Sequence, residues 1–220
     1  MRVLVATSNR GKLRDFAGAA QAYGIAIEAL AGFAGLPEAV EDGTSFEENA
    51  RKKSEHYSRF APGELVLADD SGLCVEALGE APGVHSARYA LLDSANRGSA
   101  NMDSASVDSA SVHSANMDSA NNARLLAELS SVDDAARRAS FVCVLSAARD
   151  GCEVAHFRGE VAGRILRQAR GNAGFGYDPL FYLPEVGKSF AELAAGEKAG
   201  FSHRGAALRK FLAWARPLGS

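Results

Sequence analysis

The sequence predicts an α/β fold built on a mixed sheet, and three observations carry that expectation. Short apolar runs that fit strands alternate along the chain with segments of helical periodicity. Asp150-Gly151, a hairpin signal, lies between two such runs, so part of the sheet is antiparallel. The 220 residues, 47% hydrophobic and 23% charged, suffice for one sizeable core or two closely joined lobes.

Val3 to Ala6 reads as the first strand, followed by the turn Thr7-Ser8-Asn9-Arg10-Gly11. A helix begins near Lys12, with Leu13, Phe16, Ala17 and Ala20 at helical spacing on one face. Ile25-Ala26-Ile27 offers a second strand. Ser45-Phe46-Glu47-Glu48 fits a capping box opening a helix to about Ser58, with Phe46, Ala50 and Tyr57 inward. Leu65-Val66-Leu67 leads a buried strand predicted to end at Asp69. Phe141 to Ala147 and Glu153 to Phe157 flank the hairpin turn, Glu160 to Ile165 is a further strand, and Leu180 to Leu183 another. Ser189-Phe190-Ala191-Glu192 opens a short helix that Gly196 closes. The last helix starts after Ser202 and buries Ala207, Leu208, Phe211, Leu212 and Ala215.

One segment breaks this pattern. From Asp93 a five-residue unit recurs, through Gly98-Ser99-Ala100-Asn101 and Asp103-Ser104-Ala105-Ser106, then Asp108, His113 and Asp118, to Asn121-Asn122. A period of five matches neither helix nor strand, and the unit carries little apolar mass to offset its ordering entropy. The expectation is a mobile, low-complexity surface loop at about 93–117 within a single domain spanning 1–220, a tandem expansion at a tolerant position, with a helical excursion or acidic repeats binding a cation as the alternatives.

The formal net charge of −3 argues against a broad nucleic-acid surface, while a small polyanion needs only a local cluster of Lys and Arg. Cys74, Cys143 and Cys152 are odd in number and form no C-x-x-C pair, which points to a reducing compartment and no zinc site. The chain opens on a strand rather than a charged-then-apolar leader, and its longest apolar stretch is too short for a bilayer. The expected setting is cytoplasmic, away from membranes.

Ala68-Asp69-Asp70-Ser71-Gly72 follows the apolar run directly. Desolvating an unpaired carboxylate costs several kcal/mol, roughly, unless a cation, proton or donor set compensates it. Alternation along the strand sends Asp69 and Asp70 to opposite faces, so one can meet a metal ion or an activated water while the other braces the loop. Thr7 to Lys12 presents backbone N–H groups, a helix N-terminus and a lysine to an anion; it is no Walker A loop, and its plainer reading is a turn with a solvated lysine. In Glu41-Asp42-Gly43-Thr44-Ser45 the acids before the helix are ordinary dipole partners, but Glu41 is freer to reach a metal. Lys53 lies one turn beyond Asn49 on the same helix face, where it could reach phosphate. Gly171 to Pro179 is glycine-rich, and Phe175 either stacks on a flat base or packs in the core. Ser202 caps the last helix and sets His203 and Arg204 at its positive end, suited to a carbonyl oxygen or phosphate.

Together these segments resemble the inosine triphosphate pyrophosphatase family, the XTP/dITP diphosphatases. The resemblance rests on ordered blocks: Thr7-Ser8-Asn9-x-x-Lys12, Gly43-Thr44-Ser45-Phe46-x-Glu48-Asn49-Ala50, Ala68-Asp69-Asp70-Ser71-Gly72-Leu73, Gly174-Phe175-Gly176-Tyr177-Asp178-Pro179 and Ser202-His203-Arg204-Gly205. Ala81-Pro82-Gly83-Val84 with Ser86-Ala87-Arg88-Tyr89 adds a sixth. Ser8 departs from the glycine of many relatives, and the repeat replaces a short linker. The family resemblance implies an elongated mixed α/β fold, two lobes around a central cleft, and a homodimer. It implies Mg2+-dependent hydrolysis of ITP, dITP and XTP to the monophosphate and pyrophosphate, which cleanses the nucleotide pool. By carry-over Asp70 is the catalytic carboxylate, and Glu41 with Asp70 holds the metal, Glu41 ahead of Asp42. Thr7, Ser8, Asn9, Arg10, Gly11, Lys12 and Lys53 hold the phosphates. Ser71, Phe175, Gly176, Tyr177, Asp178, Lys198, His203 and Arg204 hold the nucleotide and its base. A Maf-like pyrophosphatase acting on pyrimidine or modified nucleotides, a non-catalytic nucleotide sensor, and an interaction protein using the repeat are the alternatives.

Overall fold

A computed structural model describes residues 1–7, 12, 13, 16, 20, 23–92 and 107–216, with the backbone alone at 107–114, 195 and 199. Among the described residues, β1 (Arg2–Val5), β2 (Ala26–Ala29), β3 (Val66–Val75), β4 (Arg138–Arg149), β5 (Cys152–Ile165), β6 (Phe181–Leu183) and β7 (Lys188–Ser189) form one sheet. Their order is β2-β1-β3-β4-β5-β6-β7. β1 runs parallel to β2 and β3, whereas β5–β6 and β6–β7 are antiparallel. Asp150 and Gly151, with φ of 52° and 82°, join β4 to β5, and a two-residue link joins only antiparallel strands. The sheet is mixed, as the sequence predicts.

The chain divides into two compact units, the first made of Met1–Ser71, Val142–Val161 and Ala199–Ser220. Here the alternation of side chains decides the layering. Val3, Val5, Leu65 and Leu67 pack with Phe16, Ala20 and the stripe Ala207, Leu208, Phe211, Leu212 and Ala215 of the last helix. Leu4, Ala6, Val66 and Ala68, one residue out of phase, pack with Leu30 and Tyr57. Tyr57 belongs to α1 (Phe46–Ser58), whose N-cap Ser45 accepts the N–H of Glu48. Both faces of these strands are therefore buried, as parallel sheets require. Positions 12, 13, 16 and 20 are helical, and Leu13 packs on the same cluster as Phe16.

The second unit comprises Gly72–Phe141 and Ala162–Lys198. Its core includes the rings of Phe141, Phe181 and Phe190, with centroids 4.4 Å to 5.5 Å apart. Arg137, 2% exposed, donates to the carbonyls of Ile165 (2.8 Å), Leu129 (2.7 Å) and Leu166 (3.0 Å), so a guanidinium fork serves as backbone glue. α2 (Val107–Glu128) lies against the 3₁₀ segment Gly83–Leu91: Asn121 takes the N–H of Ala90 and donates to the carbonyls of Ser86 and Ala87.

Four expectations change. The third strand does not stop at Asp69 but continues through the acid pair to Val75, and the strand expected over Glu160 to Ile165 is the second half of β5. Gly196 closes nothing: the 3₁₀ turn Phe190–Glu192, with its Ser189–Glu192 capping box, ends at Leu193, and Gly196 lies inside α3 (Ala195–Phe201). The loop expected at about 93–117 is helical from Val107 onward. That stretch has no Gly or Pro, is rich in Ala and Ser, and extends a helix anchored by buried Leu125. Residues 93–106 lie outside the described residues. Among the described residues no helix is long and apolar enough to cross a membrane.

α4 (His203–Ala215) crosses β5 at Gly159, where an added Cβ would come within 2.1 Å of the His203 carbonyl oxygen and 2.4 Å of the Ala207 nitrogen. Both are backbone atoms and yield little. Gly159→Ala is expected to lower stability by about 2 kcal/mol or more, as overpacking does, while Gly200→Ala, in open space within α3, is neutral or gains up to about 1 kcal/mol. Urea unfolding of both variants checks the contrast, and equal midpoints would contradict it.

Candidate active site

β3 carries two carboxylates through a sheet covered on both faces, and the pleat separates them. Asp69 follows the phase of Leu65 and Leu67 toward the face of α4; Asp70 follows Val66 and Ala68 toward the face of α1. Each acid then meets its own cations.

Asp69 is 5% exposed. Lys12 donates to both its oxygens at 3.0 Å and 2.8 Å, Arg204 at the start of α4 stands 3.8 Å away, and Ser71 Oγ donates at 3.4 Å. Burial alone would push this carboxyl up, but Lys12 and Arg204 outweigh it and hold Asp69 well below the usual carboxylate range. It is a fixed anion that orients two cations. Arg204 Nη2 also donates to Ser71 Oγ at 3.3 Å.

Asp70 has the opposite setting. Its Oδ1 accepts the Ser71 N–H at 3.1 Å, and Lys53 Nζ stands 4.0 Å away. Its Oδ2 is buried and has no hydrogen-bond partner among the described residues. Burial raises its pKa to about 6 against the pull of Lys53 and Asn49, and the charges of Glu41 and Asp69 add to the rise. Two neighbouring acids pushed apart in this way take different chemical parts.

α1 and its leading loop supply the other groups. Asn49, 2% exposed, accepts the Gly43 N–H through Oδ1 at 2.8 Å, which turns its NH2 toward Asp70. A Cβ on Gly43 would lie 2.7 Å from that oxygen, so the loop closes on Asn49 only because residue 43 has none. Glu48 caps the Thr44 N–H at 2.8 Å. Glu41 accepts Lys53 Nζ at 2.9 Å, whereas Asp42 pairs outward with Lys52 at 2.5 Å. Burial lowers the affinity of Lys53 for its proton, but Asp70 and Glu41 prevail and raise its pKa. A cavity of about 480 Å³ is lined by Thr7, Lys12, Glu41, Lys53 and Asp69, with Phe33 and Leu36 on its apolar wall.

The second unit contains a separate group. Phe175 is 54% exposed, which removes the core-packing alternative. Asp178, 4% exposed, accepts the Phe175 N–H at 2.9 Å and pairs with Lys198, whose Nζ lies 5.1 Å from the Phe175 ring centroid. A Cβ on Gly174 would fall 1.9 Å from Asp178 Oδ2, so the turn needs glycine there. Tyr177 is buried and donates its hydroxyl to the Ser86 carbonyl, leaving only its backbone for a ligand.

Of the residues singled out from sequence, Thr7, Lys12, Glu41, Lys53, Asp70, Ser71, His203 and Arg204 belong to the first unit. Phe175, Gly176, Tyr177, Asp178 and Lys198 belong to the second. His203 is buried at 7% exposure. Ser8, Asn9, Arg10 and Gly11 lie outside the described residues. Asn49 and Asp69 were not among the site residues expected. The signal for Asn49 was its place four residues before Lys53, an amide on the face that α1 buries.

A sequence model of the Ham1 family matches residues 3–214. The chain belongs to the Ham1 family. A dITP/XTP pyrophosphatase of Acidobacterium capsulatum is 51% identical over 213 residues, 97% of this chain and 97% of that protein. One of Syntrophobacter fumaroxidans is 44% identical over 94% of this chain and 78% of its own length. Two solved Ham1 structures share the fold: that of Staphylococcus aureus, 34% identical with a TM-score of 0.78 over 99% of this chain and 100% of that one, and that of Coxiella burnetii, 33% identical with a TM-score of 0.79 over 99% of each.

The raised pKa of Asp70 makes its ionised form a burden on the native Ham1 fold. The unfolded value is near 3.8 and the folded value about 6, so stability is lost as pH rises between them. In chelator, Asp70→Asn is expected to gain up to about 3 kcal/mol at pH 8 and nearly nothing at pH 4, from roughly two pKa units at 1.36 kcal/mol each. Thermal unfolding at the two pH values measures it; an equal change at both contradicts the electrostatic origin.

Proposed function

We propose that this nucleoside-triphosphate diphosphatase hydrolyses ITP, dITP and XTP to the monophosphate and pyrophosphate, with Mg2+, in the cytoplasm and as a homodimer. The reaction class follows from its family and from relatives named dITP/XTP pyrophosphatase. One observation carries the assignment of parts: a buried carboxyl raised to about 6, with an oxygen that has no hydrogen-bond partner among the described residues, beside a lysine that also holds Glu41.

Among the described residues there is no group of three or more acid, His or Cys side chains poised for a metal. Two hard carboxylates, one with an unsatisfied buried oxygen, nevertheless fit Mg2+, which commonly takes one or two protein carboxylates and completes its shell with phosphate oxygens and water. Held by Glu41 and Asp70, Mg2+ supplies charge neutralisation at the phosphates and a more acidic water. The protein's own groups do the rest. Thr7, Lys12 and Lys53 bind the triphosphate and stabilise the departing pyrophosphate. Asp70 takes the proton of a water attacking the phosphorus nearest the sugar, a task suited to a carboxylate whose pKa has been raised toward neutrality. Asp69 keeps Lys12 and Arg204 in place.

For the base, exposed Phe175 offers a stacking face, and Lys198 with neighbouring groups offers donors to the purine 6-oxygen. Adenine, with an amino group there, leaves a donor unpaired at about 1–3 kcal/mol. Family membership favours this reading over the Maf-like, sensor and repeat-mediated alternatives.

A panel of ITP, dITP, XTP, GTP, ATP and dTTP, with and without Mg2+, is expected to yield pyrophosphate from the first three in Mg2+ alone. In ¹⁸O-water the label enters the monophosphate. Asp70→Asn retains nucleotide binding and loses roughly 10³-fold in kcat, the scale of a positioned general base. Release of single phosphate, or normal turnover by that variant, would overturn the assignment.

A further inference from the structure

The turn that carries Phe175 closes on itself only in part. Asp178 N–H bonds the Phe175 carbonyl at 3.3 Å, and Asp178 Oδ2 takes the Phe175 N–H at 2.9 Å. Gly176, at the tip with φ of 61°, has its own N–H and carbonyl outside those bonds. Both are taken by α2. Asp118 Oδ2 accepts the Gly176 N–H at 2.7 Å, and Asn122 Nδ2 donates to the Gly176 carbonyl at 2.9 Å.

Asp118 and Asn122 are four residues apart, hence neighbours on one face of the helix. An acceptor and a donor in that order match the two sides of a single residue's backbone. A Cβ at Gly176 would meet no atom within 4 Å, so the tip has open space on that side, and these two bonds hold its backbone to the helix. The helix itself is anchored: Asn121 is spent on Ala90, Ser86 and Ala87, and Arg124 donates to the Tyr89 carbonyl at 2.6 Å and lies 4.3 Å above its ring. Asn122 Oδ1 is buried without a hydrogen-bond partner among the described residues, so its amide has one productive orientation, with the NH2 toward Gly176.

We infer that Asp118 and Asn122 are positioning residues that fix the Gly176 tip, and through it the Phe175 face, so that α2 sets how firmly and how selectively the purine is held. This rests on the reading of Phe175 as the base platform. Both residues and the turn they hold belong to the second unit, so the expected effect is on the base and not on the triphosphate.

The test compares inhibition of ITP hydrolysis by inosine monophosphate, which carries the base, and by pyrophosphate, which does not. Asp118→Ala and Asn122→Ala are each expected to weaken inosine monophosphate about tenfold, the scale of one lost hydrogen bond to a buried group, and to leave pyrophosphate within about twofold. The preference for ITP over GTP falls in parallel, and KM rises more than kcat drops. Asp118→Asn, which keeps an acceptor for Gly176 N–H, brings inosine monophosphate back to within about threefold, where a general loss of folding would not discriminate. If the alanine variants do not fold, Asn122→Asp sets an oxygen against the Gly176 carbonyl at constant size and is read in the same assays. Phe175→Ala separates the two layers. If it weakens inosine monophosphate while the α2 variants do not, or if those variants weaken both inhibitors equally, the positioning role falls alone. If Phe175→Ala changes nothing, the platform reading falls and takes this inference with it.

Discussion

Two carboxylates in succession, on a strand buried from both sides, dictate much of what surrounds them. Neither could be left unpaired in such a place without a penalty of several kcal/mol, roughly. Because the pleat sends them apart, one set of cations cannot serve both. Lys12 and Arg204 reach Asp69 from the side where Phe16 and α4 pack; Lys53 and Asn49 reach Asp70 from α1. The layered architecture and the charge arrangement are thus one requirement. Asp69 is compensated in full and stays ionised, while Asp70 is compensated in part and remains open to further chemistry.

That asymmetry accounts for the distribution of polar contacts in the first unit. Gly43, Thr44 and Asn49 spend their hydrogen bonds on holding the loop before α1, which leaves Glu41 turned to Lys53 while Asp42 is drawn outward by Lys52. The choice between two adjacent acids is made by which lysine of α1 each can reach. Lys53 lies on the inner side of the helix and Lys52 does not.

Features governed by local rules were legible in the sequence. The Ser45 and Ser202 caps, the stripe from Ala207 to Ala215, the Asp150-Gly151 turn and the opposed directions of Asp69 and Asp70 each follow from spacing within a few residues. What escaped depends on partners distant in sequence. β3 runs on past its acids because cations from α1 and α4 neutralise them, and no window around Asp69 contains those residues. Gly159 lies between the two strands read from the sequence, yet in the fold it sits within β5 and marks the approach of the α4 backbone. Asn49 acts by supporting its neighbours, so an amide at that place carries no chemical signature of its own. At Val107 the five-residue period disguised an ordinary helix, since Ala and Ser tolerate that geometry whatever their repeat.

The clamp on Gly176 also gives the tandem segment a meaning. Asp118-Ser119-Ala120-Asn121-Asn122 is itself the last copy of the pentapeptide, and it carries three side chains bonded to the base turn and to the Gly83–Leu91 segment. A helix turns about 100° per residue, so five residues displace a duplicate by about 140° from its template. The copy just before it, 113–117, is therefore turned away by that angle along the helix, and the bonds to Gly176 belong to the register of the last copy.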